Sequence, residues 1–162
     1  RSYEALSRAR TASRLSAACE IGALAGARAR RGALARYGEL LGMAFQVADD
    51  LLDYTSDVRT TGKPCGLDLR EHKVTLPLIA ALRSMSPAER ARVNALFEVT
   101  DPLDDDVAEV AGIVVERGGL DYARRRAAEY ADRARAALLD LPRSPARDAL
   151  GAAILYVMER HA

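Results

Sequence analysis

Three carboxylates stand inside an otherwise apolar stretch, Phe45-Gln46-Val47-Ala48-Asp49-Asp50-Leu51-Leu52-Asp53-Tyr54. At 3.6 residues per turn, Asp49 and Asp53 lie one turn apart on the same face of a helix, and Asp50 stands beside them at the three-residue spacing. Like charges so placed repel, and burying them unpaired costs several kcal/mol each. A cavity that holds cations removes both penalties, and an oxygen-only ligand set suits Mg²⁺ better than zinc. Three acids near a helix end can also form a solvated face, since acidic residues are mostly exposed. The neighbours Val47, Ala48, Leu51 and Leu52 argue against that, because a solvated acidic face is normally flanked by polar residues.

Residues 55–74 follow, rich in glycine, threonine and charge, with Gly62-Lys63-Pro64, Gly66, Asp68 and Lys73. Loops of this length are uncommon in compact domains unless they are functional. Lys63 and Lys73 lie on a segment anchored at its start to the three carboxylates, so their ammonium groups can reach the same cavity. Mg²⁺ on one side and ammonium groups on the other suit a diphosphate. Either lysine alone could equally be a solvated surface residue. Arg10-Thr11, a cation and a hydroxyl among small residues, reads as an exposed surface feature when taken alone.

The elements that must position these groups all read as helix. Residues 33–53 contain no proline, and Leu40, Leu41, Met43, Ala44, Phe45, Val47, Ala48, Leu51 and Leu52 leave almost no polar face, as in a helix surrounded by others. Residues 3–31 form an earlier helix, with Gly22 and Gly26 permitting close approach and Arg28, Arg30, Arg31 and Gly32 marking its end. Thr75-Leu76-Pro77-Leu78 opens a short apolar helix to about residue 83. Ser86-Pro87-Ala88-Glu89 is a capping box that starts another, running to about residue 98. A helix over residues 103–117 stops at Gly118-Gly119; its acidic front, Asp104-Asp105-Asp106, points in different directions and complements a helix N-terminus better than it binds metal. Helix resumes over residues 120–141, and a last one starts at Ser144-Pro145.

The chain has 162 residues, one domain's worth at most, and 49% hydrophobic content, enough for a core. Abundant alanine and few β-branched runs favour packed helices over sheets. A net charge of +1, with basic and acidic residues interspersed, gives no sign of a nucleic-acid or membrane surface. Cys19 and Cys65 form no metal-spacing motif and read as reduced thiols of a cytoplasmic protein. No secretory or transmembrane segment is visible. The chain enters helical pattern directly from Arg1, as a piece of something longer would.

Phe45-Gln46 before Asp49-Asp50-Leu51-Leu52-Asp53, then Gly62-Lys63-Pro64, Asp68-Leu69, Lys73 and Thr75-Leu76-Pro77, resemble the trans-isoprenyl diphosphate synthases, or polyprenyl synthetases. Arg10-Thr11-Ala12 falls on that family's Lys-Thr-Ala motif, and Gly118-Gly119 with Tyr122-Ala123 resembles its later helices. The resemblance covers essentially the whole chain but only about the second half of such an enzyme. It implies an all-α fold, the C-terminal half of an isoprenoid-synthase-type helical bundle, with residues 1–162 as one partial domain. It also implies a transferase that condenses an allylic diphosphate with isopentenyl diphosphate, with Mg²⁺ as cofactor, and a homodimer or heteromer when complete.

Residue by residue, the resemblance makes Asp49, Asp50 and Asp53 the metal ligands of the second aspartate-rich motif. Asp49, Asp50 and Lys63 are then catalytic, and Arg10, Thr11, Gln46, Lys63 and Lys73 contact substrate. Breaking the allylic carbon–oxygen bond leaves a carbocation and a highly negative diphosphate. Metal ions and fixed cations that bind the departing group more tightly than the bound ester lower that barrier, while apolar walls keep water from the cation. Arg10 departs from the family's lysine, keeping the charge but not the compact ammonium geometry. His72 stands where the family usually has glycine before the lysine. The first aspartate-rich motif would precede Arg1, so the chain alone is expected to form no prenyl product and to self-associate. A non-catalytic partner subunit or pseudo-enzyme fragment of a prenyl diphosphate synthase is the alternative of another class; a terpene cyclase fits less well, because the Gly-Lys-Pro and Thr-Leu-Pro stretches resemble the chain-elongating enzymes.

Overall fold

A computed structural model describes residues 3–55 and 66–159. Lys63, with the rest of Gly62-Lys63-Pro64, lies outside the described residues. In chain order the elements are α1 (Tyr3–Ser7), a π-helical turn (Arg8–Ala12), α2 (Ser13–Gly26), a 3₁₀ turn (Arg28–Arg30), α3 (Arg31–Thr55), α4 (Leu67–Arg70), α5 (Leu76–Ala81), α6 (Pro87–Glu98), α7 (Asp104–Glu116), α8 (Gly119–Leu138) and α9 (Pro145–Glu159). Among the described residues there is no strand, so the fold is all-α as expected. No described helix is long and apolar enough to cross a membrane. Residues 1–48 with 125–162 form one compact unit and residues 49–124 a second; the division falls inside α3 and α8.

In the first unit, α3 packs on α2 at backbone distance. A Cβ on Gly38 would lie 2.5 Å from the Leu15 carbonyl oxygen, and one on Gly42 would lie 2.6 Å from Ala12 Cα. Ser16 Oγ donates to the Ala35 carbonyl across the same seam at 2.9 Å. The sequence had pointed to Gly22 and Gly26 instead, but nothing lies within 4 Å of a Cβ at either, so the close approach belongs to the glycines of the partner helix. Helix α2 also ends sooner than expected. Ala27 leaves helical geometry at φ −144°, the 3₁₀ turn carries the arginines, and Gly32 falls inside α3 rather than marking a stop. Tyr37 ties α3 to α9 by donating to the Leu150 carbonyl at 2.8 Å, and burial pushes its phenol up to about 12. Arg126 and Tyr130 of α8 both bond Glu4 of α1, at 2.6 and 3.0 Å, and the Arg126 bond holds the Glu4 carboxyl below its usual range.

In the second unit, the predicted capping box is formed. Ser86 Oγ accepts from Glu89 N–H at 3.3 Å while the Glu89 carboxylate accepts from Ser86 N–H at 2.7 Å. Arg117, at the end of α7, closes on the same carboxylate at 2.6 Å, which lowers Glu89 to about 2. Gly118 turns the chain at φ 73°, and Gly119 opens α8 where a Cβ would meet the Pro77 carbonyl at 2.4 Å. The Gly118-Gly119 pair is thus one turn and one close approach.

Gly42→Ala should destabilise the protein by about 1–3 kcal/mol, since the Ala12 backbone at the end of the π-helical turn cannot yield to the added methyl. Gly22→Ala, exposed and mid-helix, should instead stabilise it by roughly 0.5–1 kcal/mol. Urea denaturation midpoints distinguish the two, and equal shifts of the same sign would contradict this packing.

Candidate functional site

The acidic turn closes α3, and its three carboxylates meet three environments. Asp49 is exposed, Asp50 is 3% exposed and Asp53 is half-buried. The chain after α3 returns to that turn through its backbone. Gly66 N–H donates to the Asp53 carbonyl at 2.8 Å, Asp68 N–H donates to Asp53 Oδ2 at 3.0 Å, and Leu76 N–H reaches Asp50 Oδ2 at 3.5 Å. Residues 66–76 therefore form a strap laid against the carboxylates. Its first residue must be glycine, because φ is 79° and a Cβ would sit 2.5 Å from Val107 Cγ1.

Burial raises the Asp53 carboxyl above its usual value, and the neighbouring Asp68 charge adds to this, while the Asp68 N–H bond and the Lys73 charge oppose it. Burial likewise pushes up the Tyr54 phenol, with Asp53, Asp68 and Asp50 adding to it. The surroundings of the turn thus penalise negative charge. Carboxylate oxygens in such surroundings fit a hard divalent cation, which would offset that penalty. Among the described residues, no three His, Cys, Asp or Glu side chains stand grouped as an ion site as they are. Asp50 and Asp53 are turned toward backbone amides.

The strap holds a short helix, α4, inside what the sequence showed only as a loop. Lys73 is more than half exposed and pairs with Glu71 and, at 3.2 Å, with Asp68; the Glu71 bond leads in raising its ammonium pKa. His72 adopts φ 55°, the left-handed region that favours glycine. For an L residue with a Cβ that geometry costs roughly 1–2 kcal/mol. At the position where the resemblance expects glycine, His72 thus takes a backbone geometry that glycine adopts without strain.

In the first unit, Arg10 and Thr11 lie in the π-helical turn, a rare device found mostly within helices at functional sites. Thr11 Oγ1 donates to Gln46 Oε1 at 2.9 Å, joining two candidate residues from distant parts of the chain. Arg10 beside them is exposed. No sequence signal marked the π turn.

The polyprenyl synthetase profile matches residues 1–114. The chain belongs to the polyprenyl synthetase family. It is 42% identical over 127 residues to the all-trans-nonaprenyl-diphosphate synthase (geranyl-diphosphate specific) of Rhodobacter capsulatus, a match covering 78% of this chain and 38% of that protein. Its structure superposes on a decaprenyl diphosphate synthase from Rhodobacter capsulatus with a TM-score of 0.89 at 38% identity, covering 99% of this chain and 50% of the other. A polyprenyl synthase of Caulobacter crescentus, crystallised with calcium and isoprenyl diphosphate, gives 0.88 at 38% identity, over 99% and 49%. The chain spans about half the length of these solved polyprenyl synthetases, or less of the curated one.

The raised Asp53 pKa fixes the sign of a pH effect in metal-free protein. The folded state holds this proton more tightly than the unfolded chain, so stability falls as pH rises from the ordinary aspartate value of 3.8 through the folded pKa. Asp53→Asn should remove that part of the decline, read from denaturation midpoints across the acidic range. An unchanged pH profile in the variant would show that Asp53 is not the group responsible.

Proposed function

We propose that this chain contributes one wall of an Mg²⁺-dependent prenyltransferase that condenses an allylic diphosphate with isopentenyl diphosphate, lengthening the allylic chain by one isoprene unit. The observation that carries this reading is the strap bound to the acidic turn, with Asp68 N–H on Asp53 and Leu76 N–H near Asp50. An arrangement held only for solubility has no need to bury Asp50 to 3% exposure or to raise Asp53. The crystallised calcium and isoprenyl diphosphate of the Caulobacter crescentus synthase support the same chemistry.

Asp49, Asp50 and Asp53 would hold Mg²⁺, which when bound supplies positive charge to a departing diphosphate. Asp49, already exposed, is the carboxylate open to solvent without rearrangement. Lys63 and Lys73 offer ammonium donors to the diphosphate oxygens, and Arg10 offers a guanidinium in place of the family's lysine. Thr11 donates to the Gln46 side-chain carbonyl, so the two residues proposed to contact substrate are held together. No side-chain nucleophile is needed: the allylic carbon–oxygen bond breaks, the double bond of isopentenyl diphosphate attacks the cation, and one proton leaves. A cytoplasmic enzyme that is a homodimer or heteromer when complete fits this reading.

The test is product formation by the protein of the full reading frame, given Mg²⁺ and both diphosphates. Asp49→Asn should lower turnover about a hundredfold or more, because a metal contributes several kcal/mol and each 1.4 kcal/mol is about tenfold. Lys63→Ala should weaken allylic substrate binding or ionisation and leave the unfolding midpoint unchanged. Wild-type rates and Mg²⁺ dependence in Asp49→Asn would remove the metal assignment.

A further inference from the structure

The strap of residues 66–76 touches the acidic turn with its front, and its back is fastened by two side chains. Arg70 Nη1 donates to the Pro102 carbonyl at 2.6 Å, Nη2 bonds Asp104, and Asp101 lies at 3.6 Å. Two residues on, His72 Nε2 bonds the Val99 carbonyl at 2.9 Å, and its ring meets that of Phe97 with centroids 5.4 Å apart. A carbonyl can only accept, so Nε2 carries the proton. These five partners run from the end of α6 to the first residue of α7.

We propose that Arg70 and His72 are positioning residues for the acidic turn: they clamp the strap from behind, and the clamped strap holds Asp68 N–H on the Asp53 carboxylate. Three features carry this. First, the strap's contacts divide along its length: Gly66 and Asp68 bond Asp53, and directly after them Arg70 and His72 bond the α6–α7 turn. Second, His72 keeps left-handed backbone geometry despite having a side chain, so the ring contacts offset a backbone penalty that glycine would not incur. Third, the Arg70 side chain is only 25% exposed and reaches a backbone carbonyl as well as the carboxylates of Asp101 and Asp104. Asp104, read from the sequence as charge for a helix N-terminus, also takes part in this clamp.

The proposal rests on the reading of Asp53 as a metal ligand, and supporting groups around such ligands typically tune affinity about 10–100-fold. The test compares Arg70→Met, His72→Ala, Asp104→Asn and Asp53→Asn in the protein of the full reading frame. Amide hydrogen exchange and Mg²⁺ titration in the presence of inorganic diphosphate are the readouts. Arg70→Met should speed exchange at the Gly66 and Asp68 amides about tenfold or more, with Val93 and Val110 unchanged, and raise the Mg²⁺ half-saturation about tenfold. Asp104→Asn should do the same more weakly, since it leaves the Arg70 bond to the Pro102 carbonyl in place. Faster exchange spread evenly over α6, α7 and the strap would make the clamp a matter of general stability and overturn the proposal. So would unchanged Mg²⁺ half-saturation in Arg70→Met when Asp53→Asn abolishes the response, which leaves the metal reading standing. A response indifferent to Asp53→Asn overturns both.

Discussion

The structure around the acidic turn depends on one constraint: carboxylates at the end of an apolar helix must be given compensation that water cannot supply. Asp50 is almost fully buried and Asp53 half-buried, at the end of a helix in which Leu40, Leu41, Met43 and Ala44 are buried in near succession. Part of the compensation is backbone. Asp68 brings its N–H to the Asp53 carboxylate, while Gly66 N–H holds the Asp53 main-chain carbonyl, and the strap can approach so closely because Gly66 adopts a left-handed φ against Val107. Backbone bonding to the carboxylate does not cancel the cost, since the Asp53 carboxyl remains raised. A divalent cation bound at the turn would offset that remaining cost.

Much of this was legible in the sequence because the signals were local. Three carboxylates flanked by Val47, Ala48, Leu51 and Leu52 fix their own face and spacing, and Ser86-Pro87-Ala88-Glu89 specifies its own cap. What could not be read depends on contacts distant in sequence. Gly22 and Gly26 looked like the close-approach glycines because they lie in a helix of small residues, but the approach uses Gly38 and Gly42, whose partners Leu15 and Ala12 lie one helix earlier. The π turn at Arg8–Ala12 has no pattern that distinguishes it from α-helix. Helix α4 is too short, at four residues, to show a period.

His72 shows how a departure from a family's habit can be accommodated. The backbone at that position keeps the left-handed φ that glycine takes without strain, and the imidazole finds the Val99 carbonyl and the Phe97 ring. A local rule is broken and a tertiary contact offsets it, a pattern more common at functional segments than elsewhere. Arg70 and the Asp101–Asp104 stretch do comparable work through charge. Asp104, at the front of α7, is thus bound up with the strap.

The central claim is that the acidic turn of α3, and not the acidic front of α7, receives the divalent cation. Mn²⁺ added with inorganic diphosphate to the isotope-labelled protein of the full reading frame reports this through paramagnetic broadening of amide signals. The account predicts that signals of residues 49–55 and 66–73 broaden first, and that Asp49→Asn with Asp53→Asn abolishes the effect. Broadening that begins at residues 104–106, or that survives the double substitution, would contradict it.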